Sequence, residues 1–131
     1  MIKRYIVILL VFLVIDAAWL GLVAPKLYKS QIGHLMAEKT NLYAALIFYF
    51  IYALALLVFI VNPSVDKQSV MHALIYGAFL GFVMYATYDL TNLATLKDWP
   101  ISITVIDLVW GTFVKGLTSA AASKIIQTFN F

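Results

Sequence analysis

The sequence predicts an all-α integral membrane protein with four transmembrane helices in an up-down bundle and a longer interfacial connection between helices 1 and 2. Hydrophobic residues make up 64% of the 131 residues and charged residues only 11%, whereas a soluble domain carries about 25% charged residues. The apolar residues gather in four segments close to the roughly 20 residues that a helix needs to cross the hydrocarbon. Because these segments fill the chain, residues 1–131 are expected to form a single four-span domain.

The four spans are predicted at residues 5–24, 42–61, 70–93 and 101–122. Lys3 and Arg4 before the first span resemble the start of a signal peptide. We expect the span to be retained, because it continues for about 20 residues and carries Asp16 and Trp19. Positive charges balance on the two sides of the membrane, so the first helix decides the orientation, which predicts that both termini are cytoplasmic.

The connections between the spans differ in length. Residues 25–41 mix apolar and charged side chains, which predicts a short amphipathic helix in the membrane interface, broken near Gly33. Residues 62–69 indicate an Asn-Pro turn with Ser69 as the N-cap of the next helix, and residues 97–100 indicate a tight turn. Short links join antiparallel neighbours, as an up-down arrangement requires.

Three aspartates lie within the spans, and the topology brings them to one half of the membrane. Asp16 and Asp89 fall in the second halves of spans that run the same way, and Asp107 falls in the first half of the returning fourth span. A charge at the bilayer centre costs about 2.5–3.5 kcal/mol on insertion scales. These side chains are therefore expected to face inward with partners or to be protonated. They form a polar site, or they only hold helices together through hydrogen bonds.

The third span combines small and polar residues on one face. Asp89 and Asn92 share a helical face, and Tyr85 lies one turn before Asp89. Further steps of four residues reach Gly81 and Gly77, a small-residue ridge on which another helix can pack closely.

The fourth span carries a polar stripe with one member at every fourth position: Asp107, Gly111, Lys115, Ser119 and Ser123. Asp107 and Lys115 are two turns apart, about 12 Å along the helix, which is too far for a direct ion pair. Lys115 therefore needs water, a lipid headgroup or an acid on another helix. The stripe lines a hydrated cavity, or it is a packing seam; the pattern leaves both interpretations open.

The motif Ile-Asp-x-x-Trp occurs twice, with Asp16 and Trp19 in the first span and with Asp107 and Trp110 in the fourth. A true duplication would pair other spans, so parallel use of one motif, or coincidence, is the better interpretation. Both tryptophans are candidates for lining a site. The aromatic residues of the second span are expected to serve packing, with hydroxyls able to reach an aspartate.

Several classes of function are excluded. Lysine and arginine are scattered along the chain, so the net charge of +3 indicates contact with anionic lipid headgroups and no binding of nucleic acid. There is no cysteine, HExxH spacing, nucleophile elbow, phosphate loop or dinucleotide fingerprint. No metal is predicted, and the pattern indicates no particular cofactor.

Three segments carry a resemblance to a known family: VIDAAWLGLVAPKLYKSQIGHLMAE at 14–38, YDLTNLATLKDWP at 88–100 and VIDLVWGT at 105–112. The chain resembles the bacterial family of small membrane proteins of unknown function called DUF2177, and the likeness covers nearly its whole length. The resemblance implies a four-span protein of the inner (plasma) membrane and brings no activity with it.

We expect a homo-oligomer in contact with membrane lipids, whose carboxylate site binds or passes a small polar or cationic solute or a lipid headgroup. One alternative is an enzyme that acts on a lipid or lipid-soluble substrate by aspartate general acid-base catalysis. Another is an accessory subunit that serves a larger membrane-protein partner. The candidate binding residues are Asp16, Trp19, His34, Tyr85, Asp89, Thr91, Asn92, Asp107 and Trp110. Of these, His34 is expected to close over the site from the long connection.

Overall fold

The computed structural model describes all residues, Met1–Phe131, and contains helices and no strands. Four helices are long and apolar enough to cross a membrane, which confirms the predicted all-α membrane fold. The elements are α1 (Ile2–Leu22), α2 (Ala24–Ile32), α3 (Leu42–Asp66), α4 (Val70–Thr95) and α5 (Ile101–Phe129). Large apolar side chains are exposed on the outer faces of the four long helices, as contact with lipid requires.

The link between α3 and α4 is shorter than predicted. Asn62–Asp66 continues α3, so the Asn-Pro pair lies in a helix and the turn predicted there is wrong. Pro63 has no N–H, and its ring crowds the carbonyl one turn earlier. The helix accommodates the proline with the wider π-helical turns of Leu56–Val61. The chain then reverses at residues 67–68, where Gln68 takes a left-handed φ of 52°.

The predicted start of α4 is confirmed by its cap. The Ser69 side chain accepts a hydrogen bond from the backbone N–H of His72 at 3.1 Å, which satisfies one of the free donors at a helix N-terminus. At the other end of α4, the turn at residues 97–100 leads directly into α5, as predicted.

The predicted interfacial helix is α2, which folds back over one end of the bundle. Pro25 stands in its first turn, and the helix gives way to a 3-10 turn at Gly33–Leu35, at the predicted break. Ile32 packs on Trp99 and Ile103. The contact holds α2 across the end of α4 and the start of α5.

α4 and α5 form the closest helix pair of the bundle. A Cβ atom added at Gly77 would collide with the Ser119 side chain, and one added at Gly81 would lie 2.5 Å from the carbonyl oxygen of Gly111. Ser119 and Ser123 are buried along the same line. Between Gly111 and Ser123 the polar stripe of α5 is therefore largely a packing seam, the second of the two interpretations.

The half of the bundle that holds both termini is filled with apolar side chains. The four long helices contribute to one cluster of buried side chains, which includes Ile8, Leu56, Val61, Ala73, Ala122 and Ile126. At the rim of this cluster, Arg4 donates to the Asn62 side chain at 2.7 Å. The buried ionisable residues of the spans, Asp89, Asp107 and Lys115, lie outside this cluster.

Candidate functional site

Beneath α2, in the opposite half of the bundle, the helices border an open cavity of about 280 Å³. All four spans, α2 and the turn before α5 supply its thirteen lining residues, of which eight are aromatic and three are aspartate or lysine. The lining residues are Phe12, Asp16, Trp19, Leu20, Tyr28, Ile32, Phe48, Tyr49, Tyr85, Tyr88, Trp99, Asp107 and Lys115. We call this space the central cavity.

Asp16 is held in the central cavity by a tyrosine of α3. The Tyr49 hydroxyl donates to the Asp16 carboxylate at 2.9 Å, and the Tyr49 ring packs edge-on against Phe12 at a centroid distance of 5.1 Å. The carboxylate has further lone pairs beyond the one that Tyr49 uses. Asp16 is therefore oriented and can still accept a hydrogen bond from a ligand.

Asp107 receives its partner from outside the spans. α2 carries Tyr28 over the cavity, and the Tyr28 hydroxyl donates a hydrogen bond to Asp107. Burial, together with the neighbouring Asp107 carboxylate, raises the pKa of the Tyr28 hydroxyl well above its usual value. The hydroxyl therefore stays protonated and acts as a donor, so α2 is tied to α5 through this bond.

Asp89 lies behind Asp107 and does not reach the cavity surface. It is fully buried, and neither of its carboxyl oxygens accepts a hydrogen bond from a protein donor. The indole N–H of Trp99 donates instead to the Thr104 hydroxyl at 3.2 Å. Asp107 is the acidic neighbour of Asp89 on α5, and both residues are buried. Because like charges so placed repel each other, we expect the two carboxyl groups not to be ionised together.

Lys115 contributes the one basic group of the cavity. Its side chain is only 2% exposed, and its ammonium nitrogen lies 4.0 Å from the ring centre of Phe12 and 4.5 Å from that of Tyr52. No carboxylate lies within 4.0 Å of it, and the one contact within that distance between a basic and an acidic side chain joins His34 and Asp98. Aromatic faces attract a cation, and they stand where the sequence led us to expect water, a lipid headgroup or an acid on another helix.

The repeated Ile-Asp-x-x-Trp motif brings its two tryptophans together. The rings of Trp19 and Trp110 stack with centroids 4.3 Å apart and an angle of 23° between their planes. Trp19 lines the central cavity, whereas Trp110 backs it from the lipid-facing side. The stack joins α1 to α5 beside Asp16 and Asp107.

A second hollow of about 750 Å³, here called the vestibule, opens between α2 and the end of α4. Nine of its twelve lining residues are hydrophobic. Five residues line both spaces, so the vestibule leads to the central cavity: Leu20, Tyr28, Ile32, Tyr88 and Trp99. Asn92, a predicted site residue, lines the vestibule and not the cavity.

Two predicted site residues lie elsewhere. The Thr91 hydroxyl bonds back to the Thr87 carbonyl of its own helix and is exposed on the outer face, as threonines in membrane helices often do. His34 is half exposed, 4.0 Å from Asp98, and does not close over the cavity. Of the nine predicted residues, the structure gathers four at the cavity surface: Asp16, Trp19, Tyr85 and Asp107.

Tyr28 and Tyr49 hold the two cavity carboxylates, and neither was among the predicted site residues. Tyr28 lies four residues after Ala24 and four before Ile32, and both of these are buried. That spacing marks the inward face of an amphipathic helix, and it was the available signal. Tyr49 has no comparable signal within an entirely apolar span. The structure contains no cluster of three or more His, Cys, Asp or Glu residues that could hold a metal ion.

The fold and the buried polar cavity define the chain as an integral membrane protein with four spans. Comparison with protein families makes the assignment narrower: the family described as "Predicted membrane protein (DUF2177)" matches residues 1–124, and the chain belongs to this family. Neither the curated proteins nor the solved structures gave a match.

Proposed function

We propose that the protein binds a small organic cation, the ammonium group of a polar solute or of a lipid headgroup, in the central cavity. The observation that carries the proposal is the composition of the cavity wall, in which eight aromatic side chains surround two carboxyl groups. Aromatic faces and carboxylates together are the groups that recognise ammonium ligands. A cavity near the lower end of the usual range, about 300–1,000 Å³, favours a small ligand.

Asp16 and Asp107 would have complementary roles. Each carboxyl group keeps one tyrosine hydroxyl as a fixed donor, which holds it in place without neutralising it. An ammonium group entering between them would supply a positive charge, which lowers the free-energy cost of a buried carboxylate in a membrane.

The vestibule supports access from the lipid side. Its mostly hydrophobic wall suits the apolar part of an amphiphile, and Tyr28 and Trp99 stand where it meets the cavity. The other half of the bundle is packed with apolar side chains, so the geometry favours binding over passage through a single chain. We place the protein in the bacterial inner membrane, with cytoplasmic termini and the cavity in the outer leaflet half.

The test is calorimetric titration of the full chain in phosphatidylglycerol nanodiscs with choline and with ethanolamine. We expect binding of at least one of them, weakened about tenfold by Asp16→Asn or Asp107→Asn, as the loss of one charged contact implies. The matched control is Asp66→Asn, an exposed carboxylate at the other end of the bundle, which should not change the affinity. Absence of heat with these ligands and with their carboxylate counterparts glycine betaine and glycine, or equal affinity in all variants, would contradict the proposal.

A lipid-directed enzyme remains the second candidate, and the carboxyl pair of Asp89 and Asp107 favours it. One protonated and one ionised carboxyl group would supply a proton donor and a proton acceptor, of which Asp107 lies at the cavity surface. Headgroup release from radiolabelled phospholipid by wild type, lost in a folded Asp89→Asn variant, would support it.

Oligomerisation belongs to the same proposal. A solute that crosses the membrane would need a path between copies of the chain, because the terminal half of each copy is filled. Native mass spectrometry should then show a homo-oligomer, and a stoichiometric second protein would instead indicate an accessory subunit. A monomer in both detergent and nanodiscs would limit the protein to binding.

A further inference from the structure

Lys115 is the feature of the cavity that cation binding leaves unexplained. A site for a simple cation gains nothing from a buried lysine, because like charges repel inside a medium of low dielectric constant. Yet Lys115 is only 2% exposed, and it lines the same cavity as the two carboxyl groups. Its charge is therefore part of the recognition surface.

The nearest partners of the Lys115 amine are aromatic rings and no acid. Its nitrogen lies 4.0 and 4.5 Å from the ring centres of Phe12 and Tyr52, and ring faces attract a cation. Aromatic rings leave its N–H donors free for a ligand, because a ring face does not use them as a carboxylate would. No acid lies within 4.0 Å.

Asp16 and Lys115 line the same cavity but form no ion pair, because no acid lies within 4.0 Å of the Lys115 nitrogen. Asp107 also lines the cavity and lies two turns earlier in α5, about 12 Å along the helix. The polar surface therefore offers a negative group and a positive group separated by a gap that a small molecule can fill.

We infer that the ligand is a zwitterion, with an ammonium group that meets Asp16 among the aromatic rings and an acid group, carboxylate or phosphate, that meets Lys115. This inference rests on the proposed function and adds an acid group to the ammonium ligand. The acid group completes the charge balance of the cavity, because it supplies Lys115 with the counter-charge that the protein does not provide. Free amino acids and betaines have this chemistry, and so do zwitterionic phospholipid headgroups.

The test compares two matched pairs of probes in which a hydroxymethyl group is replaced by a carboxylate: choline with glycine betaine, and ethanolamine with glycine. Titration of the full chain in phosphatidylglycerol nanodiscs should show the acid of at least one pair binding about tenfold to a hundredfold more tightly than its alcohol, as a charged hydrogen bond implies. This comparison uses wild-type protein, so it holds even where a variant does not fold.

Lys115→Met, which keeps the length and removes the charge, should reduce that preference to about one, and Lys115→Arg should retain it. A thermal unfolding transition in each nanodisc sample establishes that the variant is folded. Equal binding of alcohol and acid by the wild type, or a preference that survives in folded Lys115→Met, would overturn the inference while leaving the proposed function standing. Failure of all four probes to bind would overturn both.

A further pair of nanodiscs separates the two sources of the ligand. Discs that contain phosphatidylethanolamine should suppress the binding of glycine or glycine betaine if the headgroup occupies the site. Unchanged titration in those discs assigns the site to a free zwitterion. Each result supports the inference for one source.

Discussion

The two halves of the bundle solve the problem of membrane packing in opposite ways. In the terminal half, small and apolar residues fill the space between helices, with Ala73 and Ala122 completely buried. In the half beneath α2, large aromatic rings stand apart around a cavity with two carboxyl groups and a lysine. In lipid, close contact between helices stabilises the bundle, and polar groups without hydrogen-bond partners destabilise it. The contrast teaches that close packing is concentrated in the first half, whereas the second half keeps the space and the polar groups on which the proposed function rests.

The largest expected effect breaks the packed seam. Gly81→Leu places a side chain against the Gly111 carbonyl and the Lys115 side chain, where a Cβ atom alone would lie 2.5 and 2.6 Å away. Because backbone must move, we expect a loss of more than about 3 kcal/mol in the free energy of unfolding. Denaturation in mixed micelles measures it.

Gly21→Leu is the matched control for that substitution, since nothing lies within 4 Å of a Cβ atom at Gly21. It should leave the unfolding free energy within about 0.5 kcal/mol of wild type. Equal losses for the two variants would show that α4 and α5 are not pressed together at Gly81.

The next effect is a void in the terminal core. Leu56 is fully buried, whereas Leu54 on the same helix is 54% exposed. Leu56→Ala should lower the unfolding free energy by about 2 kcal/mol, the lower end of the range for such changes, because the separated helices remain in lipid and only packing is lost. Leu54→Ala should cost little. Choline affinity measured in phosphatidylglycerol nanodiscs should stay unchanged. A parallel loss of binding would show that the terminal half and the cavity half are not independent.

The carboxyl pair offers a sharper test of the cavity half. Asp89→Ala removes the acidic neighbour of Asp107 and leaves a void, and it should cost about 1–3 kcal/mol of stability. Asp89→Asn should cost less than about 1 kcal/mol, because it fills the space and its amide N–H can donate to Asp107. Thermal unfolding of both variants in one lipid composition provides the comparison. A larger cost for the asparagine variant would show that a neutral donor at position 89 does not serve Asp107.

The smallest effect concerns the bond between α2 and the spans. Tyr28→Phe removes one hydroxyl donor from Asp107 and should weaken ammonium binding by about 1 kcal/mol, near fivefold. Tyr43→Phe, at a tyrosine that is 83% exposed, is the control. Identical calorimetric affinities in both variants would show that the Tyr28 hydroxyl does not contribute to binding.

Much of the fold follows from the sequence because the membrane narrows the choices. An apolar run of this length has one stable form in lipid, so the four spans and the antiparallel order were predictable. The glycine spacing of α4 correctly indicated its close face. The predicted Asn-Pro turn was wrong because the helix continues through both residues, and the π-helical turns before Pro63 make room for its ring.

The candidate site was predictable only in part. Depth along each span brought Asp16 and Asp107 together, since depth depends on residue count alone. Rotation about the helix axis decides the rest, and it placed Thr91 on the outer face and Asp89 behind its neighbour. The tyrosine partners of the carboxyl groups come from α2 and α3. Local patterns indicated that Tyr28 faces inward and that hydroxyls of the second span can reach an aspartate, but which tyrosine meets which carboxyl group depends on tertiary packing.

The paired indoles of α1 and α5 also give the molecule an optical property. Two such chromophores 4.3 Å apart couple their excited states, so they absorb and emit as a dimer, and the chain contains only one other tryptophan. That third indole, Trp99, stands where the vestibule meets the cavity. Near-ultraviolet circular dichroism therefore follows the contact between the first and last spans. Trp19 and Trp99 both line the central cavity, so binding of the proposed ligand would change the tryptophan emission as well.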